Sequence, residues 1–240
     1  MAWTLTQHAD ADALAQSLAD ALADLLTVAL HARGRAVLAL AGGRTPFPLY
    51  RRLAGRALDW SKVSLIPTDE RWVDSDHPAC NAREMRAAFA DAEGVRVLPL
   101  VPDQVEHRPD VSRPDVSLAE ATLAALPEPF DAVVLGMGGD GHFASLFPGA
   151  LALTDGLAPD TPRDALVIWP EPLPAEAPFA RISLTRARLQ RCRRLILATV
   201  GAGKRAVLDR AFAADADPRH LPIAALLHDP DARVEIHWSP

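Results

Sequence analysis

The stretch Ala36-Val-Leu-Ala-Leu-Ala-Gly-Gly-Arg-Thr-Pro46 decides the fold class. Six apolar residues run without alternation, the pattern of a short strand buried on both faces. Gly42-Gly43 then supplies a tight turn, and Pro46 suits the first turn of a helix, where its missing N–H is no loss. The reading is strand, glycine turn, helix. Upstream, Leu14, Leu18, Leu22, Leu25, Leu26 and Leu30 form one helical stripe that Gly34 can close with a left-handed cap. Downstream, strand-length apolar runs recur at Val63 to Ile66, Val95 to Leu98, Ala132 to Met137, Ala165 to Trp169, Leu195 to Val200 and Arg233 to Trp238. Helical stretches at Arg83 to Asp91, Leu118 to Ala125 and Gly203 to Ala213 lie between several of them. Buried strands alternating with helices imply an α/β sheet covered on both faces.

A chain of 240 residues has room for one large domain or two small ones. Prolines crowd Val101 to Pro114 and Ala158 to Pro178, yet the strand and helix rhythm continues across both stretches. Neither has the Gly/Ser or single-sign charge bias of a tether, so a single α/β domain over 1–240 is expected. Twenty-five Lys and Arg against thirty-one Asp and Glu give a net charge of −6, which offers no overall pull toward nucleic acid or anionic lipid. Five scattered tryptophans form no stacking platform. No apolar run approaches the roughly 18 residues of a membrane span. Neither nucleic acid nor membrane is therefore an expected partner. Cys80 and Cys192 are too few for a disulfide framework, and Asp10, Asp12, Asp20 and Asp24 near a start that lacks Lys and Arg are unlike a targeting peptide. The expected location is the cytoplasm.

Several segments can carry chemistry. Gly42-Gly43-Arg44-Thr45-Pro46 joins a strand to a helix, so its backbone N–H groups and the Thr45 hydroxyl can receive a phosphate; a tight turn that merely needs two glycines is the plainer alternative. Leu135-Gly-Met-Gly-Gly-Asp-Gly-His142 contains G-x-G-x-x-G, but Pro148-Gly149 breaks the chain too early for the dinucleotide fingerprint. What remains is a glycine-dense strand end presenting Asp140 and His142, where a histidine can be a general base or a loop residue satisfied by backbone. Pro67 to His77 holds four carboxylates around Arg71, which would repel a cation, so Asp69 and Arg71 are expected as a charge pair that aims the arginine at a ligand. Gly201-Ala-Gly-Lys204 opens a helix without P-loop spacing, yet Lys204 is one of only two lysines and suits an anion. Ser145 lacks the G-x-S-x-G setting of a serine hydrolase, and the cysteines lack activating neighbours.

Taken in order, five motifs resemble the family of 6-phosphogluconolactonases and glucosamine-6-phosphate isomerases. They are Gly42-Gly-x-Thr-Pro46, Asp69-Glu-Arg71 with Asn81, Leu135 to His142 running into Ala144-Ser-Leu-Phe-Pro-Gly149, Arg181-Ile-Ser-Leu-Thr185, and Gly201-x-x-Lys204. The resemblance spans residue 35 to the carboxyl end. It implies a three-layer α/β/α sandwich with a mainly parallel, Rossmann-like sheet, a fold shared with glucosamine-6-phosphate deaminase and ribose-5-phosphate isomerase. It implies lactone hydrolysis in the oxidative pentose phosphate pathway without metal or organic cofactor. The deaminases continue from a similar Asp-Gly-His segment into a Phe-Asn-Glu-Pro-like stretch, whereas Ser145-Leu-Phe-Pro148 has no carboxylate, which favours the lactonase branch. Ala41, Arg44, Cys80 and Phe143 depart from the family pattern. A sugar-phosphate sensor that binds without turnover is the non-enzymatic alternative.

On this resemblance, neutral His142 is expected to take a proton from the water that attacks C1 of 6-phospho-D-glucono-1,5-lactone, with Asp140 orienting it. Arg71, held by Asp69, is expected to stabilise the oxyanion, with strand-end N–H groups as the second candidate. The phosphate is expected on Gly42, Gly43, Arg44 and Thr45, helped by Lys204 and Arg181, with Asn81 and Gly138 completing the binding set. The expected partner is that small sugar-phosphate lactone, and the expected assembly a monomer or weak homodimer.

Overall fold

The computed structural model describes residues 3–43, 45–105, 114–171 and 177–240. Its main sheet has seven strands, all paired in parallel: β1 (Trp3–Gln7), β2 (Ala36–Leu40), β3 (Val63–Pro67), β5 (Arg96–Val97), β6 (Ala132–Leu135), β9 (Leu195–Val200) and β10 (Val234–Ser239). Their order is β1-β10-β9-β6-β2-β3-β5. Alternate residues of each central strand serve opposite cores, which is why the strands read as continuous apolar runs. Ala36, Leu38 and Leu40 of β2 join Ala132 and Val134 of β6 beneath α1 (Ala11–Arg33), α2 (Phe47–Ala54) and α3 (Asn81–Ala88). Val37 and Ala39 join Val133, Leu135, Leu195 and Leu197 on the other face. That face is covered by α4 (Ser117–Ala124), α5 (Leu153–Leu157), α7 (Ala202–Ala211) and α8 (Ala224–Leu227).

Helix α1 follows from its sequence. Asp10 caps its start by accepting from the Ala13 N–H at 2.8 Å, and Gly34, at φ 68°, closes its end. Among the described residues it is the one helix long and apolar enough by composition to cross a membrane. Here Leu14, Leu18, Leu22 and Leu26 are buried in the core, while Asp12, Asp20 and Asp24 remain exposed.

Two parts of the architecture differ from the sequence reading. The run at Ala165 does not join the main sheet. It forms β7 (Ala165–Ile168), ending one residue before the exposed Trp169, and pairs antiparallel with β8 (Arg181–Leu184). β8 pairs in turn with β4 (Asp69–Arg71), giving a separate three-stranded sheet in the order β4-β8-β7. Neither β4 nor β8 was expected as a strand, because their charged residues break the apolar pattern. The second difference is β1, whose half-exposed Trp-Thr-Leu-Thr-Gln adds a parallel edge that its five residues do not announce. Helix α6 (Arg186–Gln190), together with α5 and α8, is likewise too short to show helical periodicity.

Candidate active site

The chain leaves β2 toward β3 and β5 on one side of the sheet, while β6, β9 and β10 lie on the other. The strand order therefore reverses between β2 and β6, and the loops leaving their carboxyl ends flank the crevice where open α/β sheets bind ligands. A cavity of about 240 Å³ lies there. It gathers residues from six distant stretches: Gly42, Gly43 and Thr45 after β2, Asp69 and Arg71 on β4, Asn81 at the start of α3, Gly138 and His142 after β6, Arg181 on β8 and Lys204 in α7. Arg44 lies outside the described residues.

His142 is set by its own loop. Its Nδ1 is 2.6 Å from Asp140 Oδ1, and its backbone N–H also points to that oxygen at 3.2 Å. Asp140 thus stands behind the ring rather than on the cavity wall. Burial pushes the Asp140 carboxyl upward, but the hydrogen bond and charge of His142 outweigh it and hold the group below its ordinary value. Gly138 permits the arrangement, since a Cβ there would overlap both the imidazole and the carboxylate. The Phe147 ring packs on the imidazole with centroids 4.1 Å apart. With Nδ1–H directed at a carboxylate, Nε2 is left to accept a proton.

The expected Asp69–Arg71 pair is not formed. Both residues lie on one side of β4, yet each meets a nearer partner. Asp69 Oδ2 accepts from Ser145 Oγ at 2.5 Å, and the Arg71 guanidinium donates to the Ala79 carbonyl at 2.6 Å. Arg71 Nε is buried without a partner among the described residues. Directly across the strand pair stands Arg181, which donates to the carbonyls of Phe179 and Ala177 at 2.6 and 2.7 Å. Burial, and then the charge of Arg71, lowers the Arg181 guanidinium to about 10, which leaves it protonated at neutral pH. Lys204 also lines the cavity; burial lowers it, and the charge of Asp140 acts against that.

Neighbouring residues brace this layer. Glu70 is buried and accepts from the N–H groups of Arg71, Asn81 and Ala82, so it caps α3 and holds β4 to it. Burial raises its carboxyl despite those three donors. Asn81 donates to the Asp69 carbonyl at 2.8 Å, and a Cβ on Gly42 would overlap its side chain. His77 accepts from the Ala79 N–H and packs edge-on against Phe179, outside the cavity. Cys80 precedes α3, where its thiol meets Glu70 and is pushed by burial up to about 11, so it is no nucleophile at neutral pH.

Sequence reasoning missed Ser145. Ala144 before it is a non-glycine residue at φ 47°, a conformation that costs of order 1–3 kcal/mol and recurs at functional sites. That kink turns Ser145 toward Asp69 instead of into a nucleophile elbow. Among the described residues, no group of three or more His, Cys, Asp or Glu side chains could hold a metal ion.

Residues 9–238 match the family described as Glucosamine-6-phosphate isomerases/6-phosphogluconolactonase. The chain belongs to this family. It is 39% identical over 230 residues to the 6-phosphogluconolactonase of Rhizobium meliloti, covering 95% of each chain. To that of Pseudomonas putida it is 38% identical, covering 97% of this chain and 91% of the relative. The crystal structure of a 6-phosphogluconolactonase from Shewanella baltica superposes with a TM-score of 0.85 at 34% identity, covering 99% of this chain and 97% of that one. The family's α/β fold is the one the sequence motifs implied.

Proposed function

We propose that this chain is a 6-phosphogluconolactonase, hydrolysing 6-phospho-D-glucono-1,5-lactone to 6-phosphogluconate in the oxidative pentose phosphate pathway. The observation that carries the reading is a histidine with a carboxylate on Nδ1, placed in the same small cavity as two arginines and a lysine. Like charges set directly across a strand pair are unfavourable, so Arg71 opposite Arg181 suits a substrate that brings negative charge to the cavity.

In this reading neutral His142 takes a proton from water at Nε2 as the oxygen attacks C1, and Asp140 stabilises the resulting imidazolium. The tetrahedral oxyanion lies toward Arg71, which lines the cavity and whose guanidinium is held by the Ala79 carbonyl. His142 then returns the proton to the ring oxygen as the C1–O bond breaks. The remote phosphate sits among Gly42, Gly43, Thr45, Arg181 and Lys204, where its binding positions the carbonyl. Asn81 and Gly138 shape the wall between. The chain acts as one domain in the cytoplasm, as a monomer or weak homodimer, on a small molecule rather than on nucleic acid or membrane. Both cysteines are free, which suits a reducing compartment.

The test is chelator-resistant hydrolysis of freshly generated lactone, corrected for the spontaneous rate. His142→Ala should lower kcat by about 10²–10⁴-fold with little change in KM. Equal turnover in the variant removes the histidine from the mechanism. No activity in the wild type moves the assignment to deamination of glucosamine 6-phosphate or to a sensor.

A further inference from the structure

The mechanism above leaves one buried carboxylate on the cavity wall without a task. Asp69 was expected to orient Arg71 and does not. It is 8% exposed, and its surroundings fix it from three directions. Its Oδ2 accepts from Ser145 Oγ at 2.5 Å, and its main-chain carbonyl accepts from Asn81 Nδ2. Its partner in strand register, Ser183, accepts the Ser145 N–H on Oγ at 3.1 Å, so Asp69, Ser145 and Ser183 close a ring that joins the small sheet to the His142 loop. Among the described residues, Asp69 Oδ1 has only a long 3.4 Å approach from Thr68 Oγ1. A rigid carboxylate oxygen with spare acceptor capacity therefore belongs to a residue lining the cavity.

A carboxylate accepts hydrogen bonds and repels a phosphate dianion, so this oxygen suits a hydroxyl of the sugar ring. Ser145 follows His142 by three residues in the same loop, which ties Asp69 to the end of the cavity where C1 reacts. We propose that Asp69 accepts the hydroxyl on the carbon next to the lactone carbonyl, with Ser145 as its positioning residue, so that the pair makes the site selective for lactones hydroxylated at C2. This rests on the lactonase reading.

The experiment compares kcat/KM for the native lactone and for the 2-deoxy lactone generated from 2-deoxyglucose 6-phosphate. In parallel, calorimetry compares binding of 6-phosphogluconate with its 2-deoxy form. A charge-assisted hydrogen bond predicts that the wild type prefers the hydroxylated compounds by about 10- to 100-fold. Asp69→Asn should shrink that preference to within about 3-fold, and Ser145→Ala should raise KM for the native lactone while leaving the 2-deoxy lactone nearly unchanged. A wild type indifferent to the hydroxyl overturns the proposal, as does an Asp69→Asn protein that keeps the full preference. Should Asp69→Asn fail to fold, Ser145→Ala decides: equal losses on both substrates mark a merely structural pair. Lost lactonase activity with a preserved, Asp69-dependent preference in calorimetry would sink the lactonase reading and leave the hydroxyl assignment standing.

Discussion

In the seven-stranded sheet every residue of β2 is apolar and buried, whereas β4 and β8 of the small sheet place Asp69, Glu70, Arg181 and Ser183 in positions just as buried. Burying apolar surface stabilises the fold by about 25 cal/mol per Å². Burying charge is unfavourable unless each group is paired or hydrogen-bonded, and replacing such groups by apolar ones is often neutral or stabilising. The two sheets therefore answer to different demands. The parallel sheet holds the molecule together, and the antiparallel one, laid over the carboxyl ends of its strands, holds polar groups around the cavity. Glu70 shows how that burial is accommodated, since three backbone N–H groups meet its oxygens and an α-helix starts from them.

Leu38→Ala breaks the comparison most forcefully. Leu38 is wholly buried and lies in register between Leu65 of β3 and Ala132 of β6, in the middle of the main sheet. Truncation should cost about 2–5 kcal/mol of unfolding free energy, from lost burial and the cavity left behind. Below its lowered melting temperature the folded variant should keep its KM for the lactone. Denaturant unfolding beside steady-state kinetics checks both, and a large KM change with intact stability would contradict the division of labour.

Lys204→Ala sharpens it from the other side, with a smaller effect. Among the described residues the lysine has no hydrogen bond or ion pair, and it lines the cavity rather than the packed core. Removing it should raise KM about 10-fold while changing unfolding free energy by less than about 0.5 kcal/mol. A pure loss of kcat would place the lysine at the reacting carbon instead of the phosphate.

The same contrast explains what could be read from the chain. Ala36 to Leu40 and Leu195 to Val200 are legible because a doubly covered parallel strand must be apolar throughout. Asp69-Glu-Arg71 is illegible as a strand because each residue is selected for a partner elsewhere: Ser145 for Asp69, the α3 N–H groups for Glu70, Ala79 for Arg71. Gly42, Gly43, Thr45, Asn81, Gly138, Arg181 and Lys204 each fit a bland local role, and only their order along the chain, matched to a family, placed them in one site. The Asp69–Arg71 pair failed for a related reason. Two residues of one strand that share a side are near each other, but proximity in sequence does not rank partners, and the competing groups lie 8 and 76 residues away.

The smallest expected effect concerns the edge of the main sheet, where a second histidine arrangement contrasts with His142 and Asp140. His8 follows β1, His237 lies on β10, and their rings stack with His8 Nε2 2.9 Å from His237 Nδ1. Among the described residues no carboxylate bonds to either ring; Glu235 beside them is engaged by Arg194. Burial, and then the charge of His8, lowers His237 to about 4, with Glu235 opposing and Arg194 adding to the fall. Because the folded value lies below the unfolded value of about 6.5, the fold prefers the neutral ring. That contribution is fully present above about pH 6.5 and is lost as pH falls toward 4. The lowered carboxyl of Asp140 acts in a separate window, keeping its contribution until pH falls through the carboxylate range. The melting temperature should therefore decline between pH 6.5 and 5 before the carboxylates titrate, and His237→Gln should flatten that decline by roughly 1–3 °C. An unchanged slope in the variant would remove His237 as a source of the acid sensitivity.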